Sequence, residues 1–217
     1  MRLSLSALEI RKKYNGIEVL RGLSYSFAKN GVYVLTGPNG SGKSTLLRIC
    51  ALLETPDSGR VEFSSEGSIP ARDISLRRRM TLVLPKGGLF NDTVFNNVAY
   101  GLRLRGINKK KIREIAGSQL ESYGLKDKAR QNALTLSSGE AQRLAMARAT
   151  AIAPEILFLD EPTASVDRRN CGIIEEIILG MKDRGSPMVI MTTHDMKQAE
   201  RLADVRLALE DGVIVAC

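Results

Sequence analysis

Gly37-Pro38-Asn39-Gly40-Ser41-Gly42-Lys43-Ser44-Thr45 is the stretch from which the fold of this chain is read. The run before it, Val32-Tyr33-Val34-Leu35, is short, apolar and β-branched, and reads as a buried strand; Leu46-Leu47-Arg48-Ile49-Cys50-Ala51-Leu52-Leu53 after it reads as a helix. Strand, glycine loop and helix in that order predict a phosphate-binding loop. Glycines let the backbone curl so that successive N–H groups point inward at the β- and γ-phosphates of a nucleotide. The helix N-terminus adds roughly half a positive charge behind them. Gly37, Asn39, Gly40, Ser41, Gly42 and Thr45 are candidates for the cradle, Lys43 for reaching the β/γ-phosphates, and the Ser44 hydroxyl for ligating Mg²⁺. A glycine-rich turn that merely ended in Lys-Ser would not also carry this spacing between these flanks.

Composition sets the outer bounds. At 217 residues, with 43% hydrophobic and 26% charged residues, the chain is ordinary for a soluble protein and long enough to bury a sizeable core. No run approaches the roughly 18 apolar residues of a membrane span. The N-terminus, Met1-Arg2-Leu3-Ser4-Leu5-Ser6, alternates like a strand and lacks the apolar core of a signal peptide, so a cytoplasmic location is expected. Cys50, Cys171 and Cys217 are odd in number and lack metal spacing, and read as reduced and mostly structural. The net charge of +8 decides nothing by itself.

Taken in order, residues 3–14 and 17–27 show period-2 stretches around Asn15-Gly16, a strong hairpin signal, so an antiparallel sheet is expected before the glycine loop. Tyr14 sits at that turn, where an aromatic ring could stack on an adenine or simply cap a strand edge. Pro56-Asp57-Ser58-Gly59 reads as a turn, residues 60–63 as a short strand, 64–72 as a polar loop, and Met80-Thr81-Leu82-Val83-Leu84 as a buried strand broken at Pro85-Lys86-Gly87-Gly88. Residues 94–149 change to helical periodicity, with loops near 105–108 and at Gly124. The basic residues there, Arg103, Arg105, Lys109, Lys110, Lys111 and Arg113, suit a membrane, a nucleic acid or a solvated helix face; the lack of interleaved aromatics favours the last. The α/β pattern then resumes with a strand at 155–159, a helix marked by Ile173, Ile174, Ile177, Ile178 and Met181, a strand at 188–191 and a closing hairpin around Asp211-Gly212. Such alternation predicts a mostly parallel sheet with ligands at the carboxyl ends of its strands.

Three of those strand and helix ends carry chemistry. Asp160 ends an apolar strand downstream of the phosphate loop, where it could hold the Mg²⁺ shell. Glu161 follows at once as a candidate general base or orienter of an attacking water. His194, the only histidine, also ends a buried strand, where an imidazole could donate to transition-state oxygens beside a γ-phosphate. Leu136-Ser137-Ser138-Gly139-Glu140-Ala141-Gln142-Arg143 opens a helix over 140–151, a second N-terminus suited to an anion and far from the first in sequence.

With these motifs in this order, the chain resembles the ATP-binding subunits of ABC transporters over essentially its whole length. The resemblance makes residues 37–45 the Walker A loop, 136–140 the signature, 156–160 the Walker B strand, Glu161 the catalytic carboxylate, 164–167 the D-loop, His194 the switch histidine and Tyr14 the adenine-stacking aromatic. It implies an α/β fold: a P-loop NTPase core with a mostly parallel sheet, an N-terminal antiparallel β subdomain and an inserted α-helical subdomain. One ABC ATPase domain would span 1–217, with 1–84 and 150–217 forming the core and β subdomain and 85–149 the helical subdomain. It also implies ATP and Mg²⁺, a head-to-tail pair in which Ser137 and Gly139 of a second copy close each site, an integral-membrane permease, indirectly a solute-binding protein, and a peripheral position on the inner membrane face.

The sequence departs from that pattern in places. Ser138 and Glu140 replace the glycine and glutamine of the usual Leu-Ser-Gly-Gly-Gln, which is tolerable at 138 if φ is negative. Pro85 stands where the family has a glutamine at the metal and attacking-water region, and proline has no side-chain donor or acceptor; Lys86 next door is a candidate substitute. These departures leave a regulatory, weakly hydrolysing module as an alternative to an importer subunit. A DNA-associated ATPase of the same type fits less well, because the chain has neither a long coiled-coil insertion nor a tandem cassette, so nucleic acid is not an expected partner. Residues 77–81 and 97–102 are most similar to importer subunits for tungstate or molybdate.

Overall fold

The computed structural model describes residues 3–65, 67–85, 88–184 and 187–216. Lys86 and Cys217, like Met1, Arg2 and Gly87, lie outside the described residues. Three apolar runs of the sequence become the centre of a six-stranded sheet: β3 (Val32–Thr36), β6 (Ile156–Asp160) and β7 (Met188–Thr192), every residue of them buried. With β5 (Met80–Val83), β8 (Val205–Glu210) and β9 (Val213–Ala216) the order is β5-β6-β7-β3-β8-β9, parallel except for the β8–β9 hairpin.

A central strand buried on both faces needs a core on each side. Val32 and Val34, Leu157 and Leu159, and Val189 and Met191 face one core. Their neighbours Tyr33 and Leu35, Ile156 and Phe158, and Met188 and Ile190 face another. The first core is filled by α3 (Val94–Leu104), α4 (Lys109–Ser122), α5 (Ser138–Ala151), α6 (Arg168–Arg184) and α7 (Met196–Leu202). The second is closed by α1 (Lys43–Cys50) and by an antiparallel sheet ordered β2-β1-β4, from β1 (Leu3–Tyr14), β2 (Ile17–Phe27) and β4 (Ser58–Ser65). The mixed α/β architecture with its N-terminal antiparallel sheet is the one expected. Asn15 and Gly16 make the β1–β2 turn with φ of 49° and 81°, the left-handed pair that a two-residue hairpin requires.

Some elements differ from expectation. The strand read over 60–63 extends to eight residues and becomes the third strand of the N-terminal sheet, pairing with β1 from Leu3 to Arg11. A short helix, α2 (Ile74–Arg77), capped by the Asp73 carboxylate, follows the polar loop. The helix read from 140 begins at Ser138, so Ser138 has the negative φ of a helical residue. Arg105 is not on a solvated face: its guanidinium donates to Ile152 O at 2.7 Å and to Arg78 O, fastening the end of α3 to the ends of α5 and α2. Arg103, Lys109, Lys110, Lys111 and Arg113 are exposed. Arg143 is buried and donates to Tyr123 O at 2.6 Å and Gly124 O at 3.2 Å, capping the last carbonyls of α4. Cys50 is buried, which pushes its thiol up to about 12, so it is inert, as expected of a structural cysteine. Among the described residues no helix is long and apolar enough to cross a membrane.

Asn97 holds the loop that leads from β5 into α3. It is fully buried; its carbonyl accepts from Phe90 N at 2.9 Å and its amide donates to Phe90 O at 3.1 Å and Thr93 O at 3.0 Å. Replacing it strands the Phe90 N–H, while the Phe90 and Thr93 carbonyls keep the N–H groups of Asp92 and residue 97. Asn97→Leu is expected to lower stability by about 2–3 kcal/mol, read from the urea midpoint at unchanged m value. A midpoint equal to that of the unsubstituted protein would show that the loop finds other partners.

Candidate functional site

The loop after β3 is shaped by close backbone approach. At Gly37, φ is 146° and a Cβ would lie 2.4 Å from Leu209 O; at Gly42, φ is 101° and a Cβ would lie 2.9 Å from the Leu20 side chain. Neither position accepts a side chain. Gly42 is also the N-cap of α1, and no side chain caps that helix, which leaves its first-turn N–H groups for an anion. The Ser41 hydroxyl is buried in the same loop without a hydrogen-bond partner among the described residues. A buried orphan hydroxyl beside uncapped helix N–H groups fits a phosphate oxygen.

The cavity over this loop, about 530 Å³, is lined by Tyr14, Val19, Asn39, Gly40, Gly42, Lys43, Ser44, Thr45, Pro85, Glu161, Ala164 and His194. Lys43 is buried and its ammonium donates to Gly37 O at 2.8 Å and Pro38 O at 3.0 Å, folding back over the loop. A larger crevice of about 630 Å³ lies between the ends of α4 and α5 and the side of α6, but its lining includes Glu155 and Glu176 and no Lys, Arg or His. Phosphate chemistry belongs to the smaller one.

Asp160 lies just behind the cavity, 4% exposed. Its Oδ1 accepts from Ser44 Oγ and from Thr192 Oγ1, each at 2.8 Å. Two hard oxygen donors, a hydroxyl and a carboxylate, thus meet at one point. That donor set suits Mg²⁺, which takes one or two protein oxygens and completes its shell with water and phosphate.

Glu161 begins the turn after β6 with φ of 47°, and its N–H donates to Thr192 Oγ1 at 3.0 Å. This turn aims the carboxylate at His194, whose Nδ1 is 2.8 Å from Oε2. Against an ionised carboxylate Nδ1 carries the proton, and Nε2 is left for the cavity, since the imidazole is 65% exposed. A carboxylate oriented by an imidazole, next to a phosphate cradle, can take a proton from water and steady charge on a phosphoryl group. Pro85 lines the same cavity, and its side chain offers no polar atom to it.

Of the candidate site residues, Tyr14, Asn39, Gly40, Gly42, Lys43, Ser44, Thr45, Glu161 and His194 line one cavity, and Gly37 and Asp160 bond to lining residues Lys43 and Ser44, with Ser41 in the same loop. Ser137 and Gly139 do not line the cavity: they open α5, on another part of the molecule. Ser137 and Glu140 form a capping box there. Lys128, 2.6 Å from Glu140, together with the Ser137 N–H, holds the Glu140 carboxyl below the usual range although burial opposes this. Its charge is thus matched within the chain. A Cβ at Gly139 would lie 2.4 Å from the Asn170 side chain, so the signature glycine is packed against the start of α6. Sequence reasoning missed Thr192. A hydroxyl ending a strand beside His194 was the available signal, but its partnership with Asp160 follows from the β6–β7 register, which pairs the two residues.

Known proteins resemble this chain in sequence and in fold. The profile of the family described as ABC transporter matches residues 20–164. A tungstate uptake system ATP-binding protein from Peptoclostridium acidaminophilum is 38% identical over 97% of this chain and 96% of its own length. A phosphate import ATP-binding protein from Natronomonas pharaonis is 36% identical over 97% of this chain and 78% of its own. Among solved structures, cbiO1 from Clostridium perfringens, part of the cbiONQ ABC transporter complex, superposes with a TM-score of 0.85 at 25% identity, covering 97% of this chain and 86% of that one. A dimeric ATP-binding cassette in a post-hydrolysis state bound to ADP and Pi gives 0.85 at 25% identity, covering 97% and 96%.

One hydroxyl, Thr192 Oγ1, holds both acidic residues of the site. Thr192→Val should leave the Glu161 N–H buried without a partner and Asp160 with one donor fewer, lowering stability by about 1–3 kcal/mol, while Thr192→Ser retains most of it. Equal urea midpoints for the valine and serine variants would refute the assignment.

Proposed function

The chain belongs to the ABC transporter family, and on that premise we propose that it is the ATP-hydrolysing subunit of an importer of a small solute, of which a tungstate- or molybdate-type oxyanion is the favoured class. The observation that carries the catalytic reading is the convergence of Lys43, the Ser44–Asp160 pair and the Glu161–His194 pair on one cavity. The solute class rests on the likeness of residues 77–81 and 97–102 to such subunits and on the tungstate uptake relative. Relatives named for phosphate and amino-acid transport keep it a proposal about class.

In this reading Gly37, Asn39, Gly40, Ser41, Gly42 and Thr45 cradle the phosphates through backbone N–H groups and the Ser41 hydroxyl, and Lys43 exchanges its two carbonyl partners for β- and γ-phosphate oxygens. Ser44 and Asp160 hold Mg²⁺, which when bound neutralises charge on the phosphates. Tyr14 stacks on the adenine. Glu161 orients and deprotonates the attacking water, and His194 holds Glu161 through Nδ1–H and, with Nε2 protonated as well, donates to the phosphoryl oxygens. Ser137 and Gly139 act on the nucleotide of a second copy, in a head-to-tail pair. The dimeric cassette bound to ADP and Pi supports that arrangement.

Division of the chain into a core with β subdomain (1–84 and 150–217) and a helical subdomain (85–149) is part of the same proposal, and is supported by the helical content of the middle stretch. The permease is assigned to the apolar groove of about 410 Å³ beside Pro85, where Leu84, Phe90, Tyr100 and Leu104 are 41–65% exposed. Docking there makes the subunit peripheral on the inner membrane face, with a solute-binding protein as an indirect partner.

Pro85 favours slow or weakly coupled hydrolysis, and at the limit a regulatory module that binds ATP without turning it over. Multiple-turnover phosphate release separates the two: sustained Mg²⁺-dependent release supports the importer subunit, and a single turnover supports the module. With the permease present, Pro85→Gln is expected to raise the rate; matching rates would remove the proposed role of this position. Glu161→Gln is expected to bind Mg·ATP and accumulate as a dimer by light scattering, and a variant that stays monomeric at micromolar protein would count against Glu161 as the base.

A further inference from the structure

Tyr14 is tied into a polar network with Glu54, Arg48 and Lys12, side chains to which the phosphate chemistry gives no role. Its hydroxyl donates to Glu54 Oε1. Glu54 Oε2 accepts from Arg48 Nε at 3.0 Å, and Lys12 Nζ is 3.5 Å from Oε1. Arg48 lies in the last turn of α1; its Nη2 donates to Thr45 Oγ1 at 3.2 Å and stands 3.5 Å from the Tyr14 hydroxyl. Its carbonyl accepts from Leu53 N at 2.9 Å and Glu54 N at 3.3 Å, so the segment carrying Glu54 is anchored to the same helix. Lys12 is fixed in turn by Thr55 O at 2.8 Å and Asp57 Oδ1 at 3.3 Å, and its ammonium lies 5.6 Å from the centre of the Tyr14 ring.

We infer that Glu54 and Arg48 are positioning residues for the base platform, a strut that sets the Tyr14 ring at a fixed height and angle over the phosphate loop. This rests on the proposed stacking of Tyr14 on adenine and extends it. A surface tyrosine rotates freely about two side-chain bonds, and ordering it on binding costs affinity. Here the hydroxyl is held at one end by Glu54, and the Lys12 ammonium sits by the ring. The ring is ordered before the nucleotide arrives. Because Arg48 touches both Glu54 and Thr45, base platform and phosphate cradle are referred to the same helix. The network also tolerates its partial burial as an ion pair: burial would raise the Glu54 carboxyl, yet the Tyr14 hydroxyl, the Arg48 guanidinium and the Lys12 charge together hold it below the usual range.

The alternative is that the cluster only fastens the β1 hairpin to α1. The two differ in what they do to a ligand without a base. Binding of Mg·ATP and of inorganic tripolyphosphate is measured by calorimetry on Tyr14→Ala, Tyr14→Phe, Glu54→Ala and Glu54→Gln, with a steady-state KM and kcat for each. Tyr14→Ala is expected to weaken ATP by about three- to tenfold. Tyr14→Phe, which keeps the ring and loses the tie, and both Glu54 variants are expected to weaken ATP by about two- to fivefold. In all four, tripolyphosphate binding stays within about twofold of the unsubstituted protein, and in the two Glu54 variants kcat does as well. Unchanged ATP binding in Tyr14→Ala would overturn the stacking reading and the strut with it. Weakened ATP in Tyr14→Ala alone, with Tyr14→Phe and the Glu54 variants unchanged, would overturn the strut and leave the stacking. Equal losses for ATP and tripolyphosphate would make the cluster a structural brace.

Discussion

The Asp160 carboxylate is where the parts of this molecule are joined. It ends β6 in a nearly dry position, and a buried carboxylate is tolerable only if its oxygens are satisfied. Thr192 supplies one hydroxyl from the end of the neighbouring strand β7, and Ser44 another from the first turn of α1, which follows β3 on the far side of β7. One oxygen atom therefore links β6, β7 and the helix that emerges from β3. The same Thr192 hydroxyl accepts the Glu161 N–H, which sets the direction of the carboxylate that meets His194. The cavity and its acidic residues share one anchor.

Around that anchor the sheet behaves as a partition. Each central strand sends alternate residues into a helical core and into the core under the N-terminal antiparallel sheet. The carboxyl ends of β3, β6 and β7 come out on one rim, where the chain turns sharply: at Gly37, at Glu161 with φ of 47°, and into the His194 segment. Turns with positive φ at Gly37 and Glu161 on that rim suit a site of short polar side chains and backbone N–H groups. The interior strands can then remain wholly apolar.

The departures of the chain from its family are compensated unequally. At Glu140 the extra negative charge is met by Lys128 and by the capping box with Ser137, so the start of α5 is electrostatically closed within the chain. At Pro85 the side chain lining the cavity is hydrocarbon and carries no amide, and Lys86 next to it lies outside the described residues. On the proposed function, binding and turnover would be separable in this way, because the cradle depends on backbone geometry near 37–45 and alignment of water on side chains from several strand ends.

Much of this was legible from residues alone wherever the signal was local. The glycine spacing at 37–45, the Asn15-Gly16 turn and the apolar strands ending at Asp160 and just before His194 each encode their own conformation, because a turn or buried strand is dictated by neighbours in sequence. What only the tertiary structure decided was which of those ends meet. The runs at 32–36, 156–160 and 188–192 are apolar at nearly every position, so no periodicity reveals their order or their two faces. The order β6-β7-β3 brings Thr192 to Asp160, the fold of β1 beside α1 brings Tyr14 to Glu54 and Arg48, and the packing of Arg105 turns an apparent surface charge into a tie between helices. These are contacts between segments distant in sequence, selected by the burial of two cores at once.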